Sequence, residues 1–193
     1  MNERKWWVRG GLASVVAAVS VAATYAPTLL AGARAAPVGE AVVQAGFSPE
    51  GSAQALVLDV INRADVSVRM MAYTFTAPDI ARALVRAKRR GVDVRVVVDA
   101  SESHSRAAVA AMNILVNAGV PVRVNGQYKI QHDKVLIVDG KHVETGSFNY
   151  SAAAERSNSE NAIVLWNHPE LAKQYSEHWE SRWSSAQAFN STY

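Results

Sequence analysis

Short runs in which hydrophobic and polar residues alternate recur along the chain and predict β-strands. The clearest covers residues 92–99, where Val94, Val96 and Val98 would share one face of a strand. Val97 would lie on the opposite face. The same reading predicts further strands at residues 42–47, 66–73, 120–124, 129–138, 142–148 and 161–166.

Between these runs, hydrophobic residues recur three and four positions apart and predict helices. Pro78 suits the first turn of one helix, and Gly91 and Gly119 suit positions just after helix ends. Ser48 or Ser52 would cap the first helix. The predicted helices cover residues 53–62, 78–90, 105–118 and 168–183. Strands that alternate with helices predict an α/β domain in which helices flank a mixed β-sheet.

Residues 1–35 have the pattern of a secretory signal peptide. A basic start precedes residues 10–33, which carry no charged side chain, and residues 33–35 are small-x-small, with residues 31–33 as a second candidate cleavage site. An uncleaved membrane anchor is the alternative, since the uncharged run is long enough to span a bilayer. A buried core helix fits less well, because the run has no amphipathic period. Cleavage predicts a periplasmic or secreted protein formed by residues 36–193.

Net charge gives no information about the partner. The first 35 residues carry four basic side chains and one acidic one, a net of +3, which equals the net charge of the whole chain. The remainder is therefore close to neutral, and only local charge clusters bear on binding. The chain has no cysteine, which excludes disulfides, thiolate chemistry and cysteine zinc sites.

The sequence between residues 131 and 149 predicts a β-hairpin. Asp139-Gly140 stands between two β-rich runs, and this dipeptide is a strong signal for a two-residue turn. With these two residues as the turn, Val138 would face Lys141. A longer loop would shift this register.

This register gathers four polar side chains on one face of the hairpin. His132 and Lys134 would share that face, with Ser147 opposite His132 and Asn149 diagonal to it. An imidazole, an ammonium group, a hydroxyl and a carboxamide suit a phosphodiester, because they supply a nucleophile or acid–base group and donors for the phosphoryl oxygens. A structural histidine and a solvated lysine are the commoner explanations for single residues. The strand is otherwise apolar, however, so placing both groups at its start is costly without a function.

The spacing is His-x-Lys, four residues, Asp, six residues and Gly-Ser-x-Asn, and it resembles the signature of the phospholipase D superfamily. All the fixed positions are present: His132, Lys134, Asp139, Gly146, Ser147 and Asn149. Most of the chain from residue 42 onward, including residues 69–73 and 159–162, is similar to the small bacterial endonucleases of the Nuc type. The resemblance implies a single phospholipase D-like domain with α-β-α layers in residues 36–193.

The resemblance also implies a homodimer and a metal-independent mechanism. Larger members carry two copies of the motif, whereas this chain has one, and the small members bring two copies together across a two-fold axis. His132 of one subunit would attack phosphorus, and the partner's His132 would protonate the leaving oxygen and then help water cleave the phosphohistidine. Lys134, Asn149 and Ser147 would hold the phosphate, without any metal or other cofactor.

Two acidic residues complete the predicted catalytic set. Glu160 resembles the acidic residue of the family that orients the catalytic histidine through its second ring nitrogen; a surface charge at the start of a strand is the alternative. Asp139 belongs to the motif, but it is expected to stabilise the turn rather than to take part in the chemistry.

DNA, cleaved without sequence preference, is the substrate that the Nuc-type resemblance favours, while RNA and phospholipid remain alternatives. Basic residues offer modest support, in a helix end (Arg82, Arg86, Lys88, Arg89 and Arg90) and near the motif (Arg123, Lys129, Lys134 and Lys141). Tyr73, Phe75 and Tyr128 are candidates for base stacking, although core packing is the commoner role of such residues.

Two other functions compete with the nuclease. A phospholipase D acting on phospholipid head groups would use the same motif, but the sequence after residue 35 shows no amphipathic basic helix that would lie on a bilayer. The other alternative is a nucleic-acid-binding module that keeps the fold but has no catalytic activity. Against that module, His132, Lys134 and Asn149 are all intact.

Overall fold

A mixed eight-stranded β-sheet organises residues 41–191, the part of the chain that the structure, a computed structural model, describes. The strands are β1 (Val42–Ser48), β2 (Ser67–Ala72), β3 (Asp93–Asp99), β4 (Val122–Asn125), β5 (Lys134–Val138), β6 (His142–Gly146), β7 (Glu160–Trp166) and β8 (Gln187–Ala188). The helices are α1 (Ser52–Asn62), α2 (Pro78–Arg89), α3 (Arg106–Asn117), α4 (Ala152–Arg156) and α5 (Pro169–Ser184). The predicted signal segment, residues 1–35, lies outside the described residues.

The strand order is β1-β7-β6-β5-β2-β3-β4-β8. β2, β3 and β4 are parallel, with α2 and α3 as the crossovers between them, and the remaining neighbours are antiparallel. Parallel neighbours require such crossovers, whereas antiparallel β5 and β6 need only a tight turn. The prediction of a mixed sheet flanked by helices is confirmed.

Helices cover both faces of the sheet. Val94, Val96 and Val98 pack into the larger core cluster with α1, α2 and α3, whereas Val97 packs into the smaller cluster with α5. The predicted alternation along β3 is thus confirmed. α5 packs against β2, β4, β5 and β6. Among residues 41–191, no helix combines the length and apolar character needed to cross a bilayer.

The ends of the helices follow the sequence signals only in part. Pro78 occupies the first turn of α2, and the Ser105 hydroxyl caps α3 by accepting a hydrogen bond from the Ala108 N–H at 3.1 Å. The prediction that a serine caps α1 is wrong, because Gly51 holds the cap position with φ of 86°. Ser52 instead closes the preceding turn, where its hydroxyl accepts from the Phe47 N–H at 2.8 Å.

The structure differs from the sequence analysis at three places. Residues 129–133 are irregular rather than the start of a strand. α4 was not predicted; it has only five residues, and the Ser151 hydroxyl caps it by accepting from the Ala154 N–H at 3.2 Å. β8 was not predicted either; it follows α5 and pairs with β4 over two residues.

Candidate active site

The predicted site residues lie at one edge of the sheet, where the carboxyl ends of parallel strands meet the amino ends of their antiparallel neighbours. Lys134, the first residue of β5, pairs with Ala72, the last residue of β2. Glu160, the first residue of β7, pairs with Ser48 at the end of β1. Polar side chains at this edge can reach a ligand without disturbing the packed interior of the sheet.

The hairpin turn forms where it was predicted, but the register differs. Asp139 and Gly140 have φ of 54° and 63°, and the Lys141 N–H donates to the Val138 carbonyl at 3.1 Å. The ladder then pairs Val138 with His142 rather than with Lys141. Lys141 is therefore an extra residue on the second strand, as in a β-bulge, and the predicted register is wrong by one position.

This shift changes the partners along the hairpin. Val135, and not Lys134, pairs with Thr145. Within residues 41–191, His132 pairs with no strand residue, because β5 begins only at Lys134. The predicted placement of Ser147 opposite His132 across a ladder is therefore also wrong, although both residues lie at the same edge of the sheet.

Hydrogen bonds at both ends hold the loop that carries His132. The Gln131 N–H donates to Asp99 Oδ2 at 2.5 Å, and the Asp133 carbonyl accepts from the Tyr73 N–H at 2.9 Å. Asp99 is 1% exposed and ends β3. The bond to Tyr73 continues the pairing of β5 with β2 by one residue, whereas the Gln131 N–H is bound by a side chain of β3 instead of a neighbouring strand backbone. Sequence analysis missed Asp99, although a carboxylate at the end of a buried parallel strand is a recognisable signal.

His132 is exposed and lies against Tyr73. The two ring centroids are 4.6 Å apart, with 60° between the ring planes. Neither imidazole nitrogen forms a hydrogen bond to another of residues 41–191. An exposed imidazole with its ring held on one side and both nitrogens available suits a nucleophile or an acid–base group.

Lys134 is buried beside the histidine, with 5% of its surface exposed. Its Nζ donates to the His132 carbonyl at 2.9 Å and lies 4.9 Å from the centre of the Tyr73 ring. Burial lowers the pKa of the Lys134 ammonium, while the nearby carboxylates of Asp133 and Glu160 act in the opposite direction. The group is thus a partly desolvated cation that an anionic substrate would stabilise.

Ser147 follows β6 with its oxygen already engaged. The hydroxyl oxygen accepts from the Asn161 N–H at 3.0 Å and from Asn161 Nδ2 at 3.3 Å. With both lone pairs used, the hydroxyl hydrogen remains available to donate to a substrate oxygen. Gly146 permits this close pairing, since a Cβ there would lie 2.3 Å from the Asn161 carbonyl oxygen.

Asn149 carries a buried amide oxygen that accepts no hydrogen bond within residues 41–191. The next residue fixes its position, because the Tyr150 carbonyl accepts from the Thr76 and Ala77 N–H groups, both at 2.9 Å. The unsatisfied oxygen is an acceptor, so a phosphate oxygen could bind only the Nδ2 group of this carboxamide.

A buried acid–phenol pair lies beneath this segment, and sequence analysis missed it. The Tyr150 hydroxyl donates to Glu144 Oε2 at 2.7 Å, and both side chains are 0% exposed. Burial raises the pKa of Glu144 to about 8, against the lowering effect of the Tyr150 hydrogen bond. Glu144 is therefore mainly a neutral carboxylic acid near pH 7.

The two predicted acidic site residues occupy different places. Glu160 lies at the site edge, where its carboxylate accepts from Asn158 Nδ2 at 2.9 Å and acts electrostatically on Lys134. No hydrogen bond joins it to His132 within the described chain, so its orienting role stays a prediction.

Asp139 lies at the far end of β5, and its placement in the catalytic set is wrong. It is five residues from Lys134 along an extended strand, roughly 16 Å at the usual rise per residue. Its carboxylate accepts hydrogen bonds from three successive backbone N–H groups, those of Asp65, Val66 and Ser67. This carboxylate therefore fixes the β5–β6 turn to the start of β2, which is the turn-stabilising role expected for it.

Comparison with known proteins agrees with this geometry. Residues 57–183 match the family described as "Cardiolipin synthase, PLD-like domain". Phospholipase D from Rickettsia felis is 36% identical over 139 residues, which is 72% of this chain and 68% of that protein.

Two solved structures share the fold over most of the described residues. Nuc, a phospholipase D family member from Salmonella typhimurium, superimposes with a TM-score of 0.78 at 56% identity, covering 79% of this chain and all (100%) of that chain. NucT from Helicobacter pylori gives a TM-score of 0.70 at 25% identity, covering 78% of this chain and 100% of that chain. The protein therefore belongs to the PLD-like domain family and is a phosphodiesterase of the phospholipase D superfamily.

Proposed function

We propose that this phosphodiesterase is a metal-independent endonuclease that hydrolyses DNA without sequence preference, as a homodimer and through a phosphohistidine. The observation that carries the proposal is the grouping of the exposed His132 imidazole, the buried Lys134 ammonium and the Ser147 hydroxyl at one edge of the sheet. The Nuc-type sequence signature and the 56% identity to Nuc support DNA as the substrate.

Hydrolysis would proceed in two displacements at phosphorus. A nitrogen of His132 forms a bond to phosphorus while the bond to the leaving oxygen breaks, and the partner's imidazole gives that oxygen a proton. The same partner imidazole then accepts a proton from water, whose oxygen attacks phosphorus as the phosphorus–nitrogen bond breaks. Each step leaves one imidazole able to perform the next.

The neighbouring groups would stabilise charge on the phosphoryl oxygens. Lys134 supplies a cation that is already partly desolvated, so little water has to be removed when the phosphate binds. Ser147 supplies a hydrogen bond that is preoriented by Asn161. Asn149 supplies a carboxamide close to the same edge. These donors provide the stabilisation that a metal ion provides in other phosphodiesterases.

A dimer is proposed because one chain supplies one catalytic histidine. Apolar side chains of β1 are exposed: Phe47, one residue before the end of the strand at the site, is 55% exposed, and Val43, toward the other end, is 60% exposed. Phe47 pairs with Asn161, the residue that holds Ser147. A second copy packed on this surface would bury it and bring a second motif to the site.

A phospholipid head-group hydrolase is the second candidate, because the similar protein from Rickettsia felis is named phospholipase D.

Export to the periplasm or medium is a further part of the proposal and rests on the signal-like pattern of residues 1–35. Mass spectrometry of the exported protein would test it, since cleavage before residue 36 fixes the mature mass.

The deciding experiment offers plasmid DNA and phosphatidylcholine to the purified protein, each in excess EDTA, with His132→Ala as the control variant. The expected result is DNA cleavage by the parent protein and none by the variant. Cleavage of lipid alone would reject the nuclease proposal and support the phospholipase D activity instead. Cleavage of neither would favour a binding module.

A further inference from the structure

A shallow depression lies beside His132, between the loop of residues 126–133 and the C-terminal half of α5. Its volume is about 290 Å³, and it is lined by Tyr128, Ile130, Gln131, His132, Asp133 and Arg182. Only Ile130 among these has a purely apolar side chain. Because His132 belongs to both the depression and the catalytic centre, a diester at His132 can extend one substituent into this space.

The wall of the depression is fixed by hydrogen bonds. Asn125 Nδ2 donates to the Arg182 carbonyl at 2.9 Å, and Asn125 Oδ1 accepts from the Gln127 N–H at 3.0 Å. The bond from the Gln131 N–H to Asp99 holds the other end of the loop. Residues 128–130 are therefore presented on an anchored frame, which lowers the entropic cost of binding a ligand there.

An aromatic ring and a guanidinium group are stacked within this frame. The guanidinium carbon of Arg182 lies 4.8 Å from the centre of the Tyr128 ring. Tyr128 is 39% exposed, so it is not a core residue. Arg182 donates to the Ser181 hydroxyl at 2.7 Å and forms no ion pair with a carboxylate in residues 41–191. The stack thus offers an aromatic surface and a positive charge to a ligand.

Gln131 makes the depression suitable for a polar ligand, and the one carboxylate of the lining, that of Asp133, has a partner in His178. Gln131 is 2% exposed, and neither its side-chain oxygen nor its nitrogen has a hydrogen-bond partner among the described residues. Buried amides are normally satisfied, so this one indicates a missing partner. The Asp133 carboxylate is 3.3 Å from His178 Nε2, which engages the one acidic side chain of the lining.

We infer that this depression is a nucleotide subsite in which Tyr128 stacks on the base next to the scissile phosphate and Arg182 contacts the neighbouring phosphate. The inference rests on the proposed nuclease function and names the feature that would select nucleic acid. Aromatic stacking tolerates every base, which suits cleavage without sequence preference. Guanidinium groups bind phosphate oxygens in a planar, bidentate manner.

The proposed dimer strengthens this assignment. Its two-fold axis would place one such depression on each side of the scissile phosphorus. In DNA the two substituents of a phosphate are both nucleosides, so equivalent subsites fit them. A phospholipid instead has a lipid group on one side and a head group on the other, and Ile130 alone offers little apolar surface for an acyl chain.

The test compares two chromogenic diesters, thymidine 5′-(p-nitrophenyl phosphate) and methyl p-nitrophenyl phosphate, which differ in the nucleoside. Full-length parent, Tyr128→Leu and Tyr128→Phe proteins are assayed with both, and with plasmid DNA. We expect Tyr128→Leu to lower the ratio of kcat/KM for the nucleoside diester to that for the methyl diester roughly tenfold. Tyr128→Phe, which keeps the ring, should keep the ratio within about twofold of the parent.

An unchanged ratio in Tyr128→Leu would overturn the subsite, while plasmid cleavage by the same preparations would leave the nuclease proposal standing. Failure of the nuclease proposal has a different signature, since the parent protein would then cleave phosphatidylcholine but not plasmid DNA. That result would overturn the nucleotide subsite as well. If Tyr128→Phe lowers the ratio as much as Tyr128→Leu does, stacking is not the cause of the decrease.

Discussion

The ring of Tyr73 contacts the imidazole of His132, with their centroids 4.6 Å apart. The same ring lies 4.9 Å from the Lys134 ammonium nitrogen. One aromatic side chain just after β2 therefore lies beside both groups that define the motif. Tyr73 also anchors their loop through its backbone, since its N–H donates to the Asp133 carbonyl.

Replacement of the Tyr73 ring should impair the chemical step more than binding. For Tyr73→Leu we expect kcat to fall about tenfold or more with a smaller change in KM, because the imidazole loses the surface that holds it near its attacking position. Tyr73→Phe keeps the ring and should retain most of the activity. Steady-state kinetics with a chromogenic diester measures both constants. Equal activity of the Leu and parent proteins would refute a positioning role.

Ser147→Ala should lower kcat by roughly 10- to 1,000-fold, because it removes a hydrogen-bond donor preoriented toward the phosphoryl oxygens. The change also removes the acceptor of the exposed Asn161 N–H, which should cost about 0.5–1.5 kcal/mol of stability. Ser147→Thr is the matched control, since it keeps the hydroxyl. Rates of diester cleavage and urea unfolding curves separate the two effects. A fully active Ala variant would exclude the hydroxyl from the mechanism.

Asp139→Ala should destabilise the protein without a matching loss of catalysis. Three backbone N–H groups lose their acceptor, so we expect a loss of about 1–3 kcal/mol in unfolding free energy. Asp139→Asn retains an acceptor oxygen and tolerates the positive φ of this position, and it should lie between parent and Ala. Urea unfolding and turnover at low temperature provide the measurements. If the Asn variant folds but has no turnover, Asp139 is needed for catalysis and the structural role alone is contradicted.

Glu144→Gln should remove a pH dependence of stability. The pKa of Glu144 is about 8 in the folded protein against 4.5 for an unperturbed carboxyl group. Its contribution to the free energy of unfolding is therefore complete below pH 4.5 and is lost as pH rises toward 8. In that window the unfolded chain releases the proton and the folded protein keeps it. The slope is at most about 1.4 kcal/mol per pH unit.

The neutral Gln side chain still accepts from Tyr150, so the variant should show a flatter profile than the parent. Urea unfolding at several pH values between about 5 and 8 measures the slope. Glu177→Gln, on the exposed face of α5, is the control and should leave the parent profile unchanged. A parent profile that is already flat would contradict a neutral Glu144.

Phe47→Glu should separate the proposed dimer and reduce activity together, because it places a charge on the apolar surface beside the site. Val66→Glu is the matched control: Val66 is 68% exposed but precedes β2, at the opposite edge of the sheet. Light scattering and diester cleavage on the same samples measure both properties. A monomeric Phe47→Glu protein with full activity would rule out a shared site.

Several features could be predicted from local sequence alone. The faces of β3 follow from the alternation of Val94, Val96 and Val98 with Val97, because a strand has a fixed period of two. The turn at Asp139-Gly140 follows from residues that tolerate positive φ. The motif likewise identified His132, Lys134 and Ser147, since residue type and spacing can be read directly from the sequence.

Tertiary contacts decided the rest. Whether residues 129–133 extend β5 depends on Asp99, whose carboxylate at the end of β3 binds the Gln131 N–H. The hairpin register depends on the extra residue Lys141, and local alternation does not show on which strand such a residue falls. Nothing in the local sequence distinguishes Glu144 from the other polar residues of β6, and only the fold brings the Tyr150 hydroxyl to it.

The sequence by itself therefore determined most of the elements, the candidate chemical groups and the family, because these depend on residue types and on short, regular spacings. The tertiary structure decided which groups are in contact. Tyr73 lies against His132, and Arg182 lies over the ring of Tyr128. Asp139 binds backbone N–H groups away from the site. Such meetings depend on how distant strands and helices pack, and residues far apart in the chain carry no local signal of that packing.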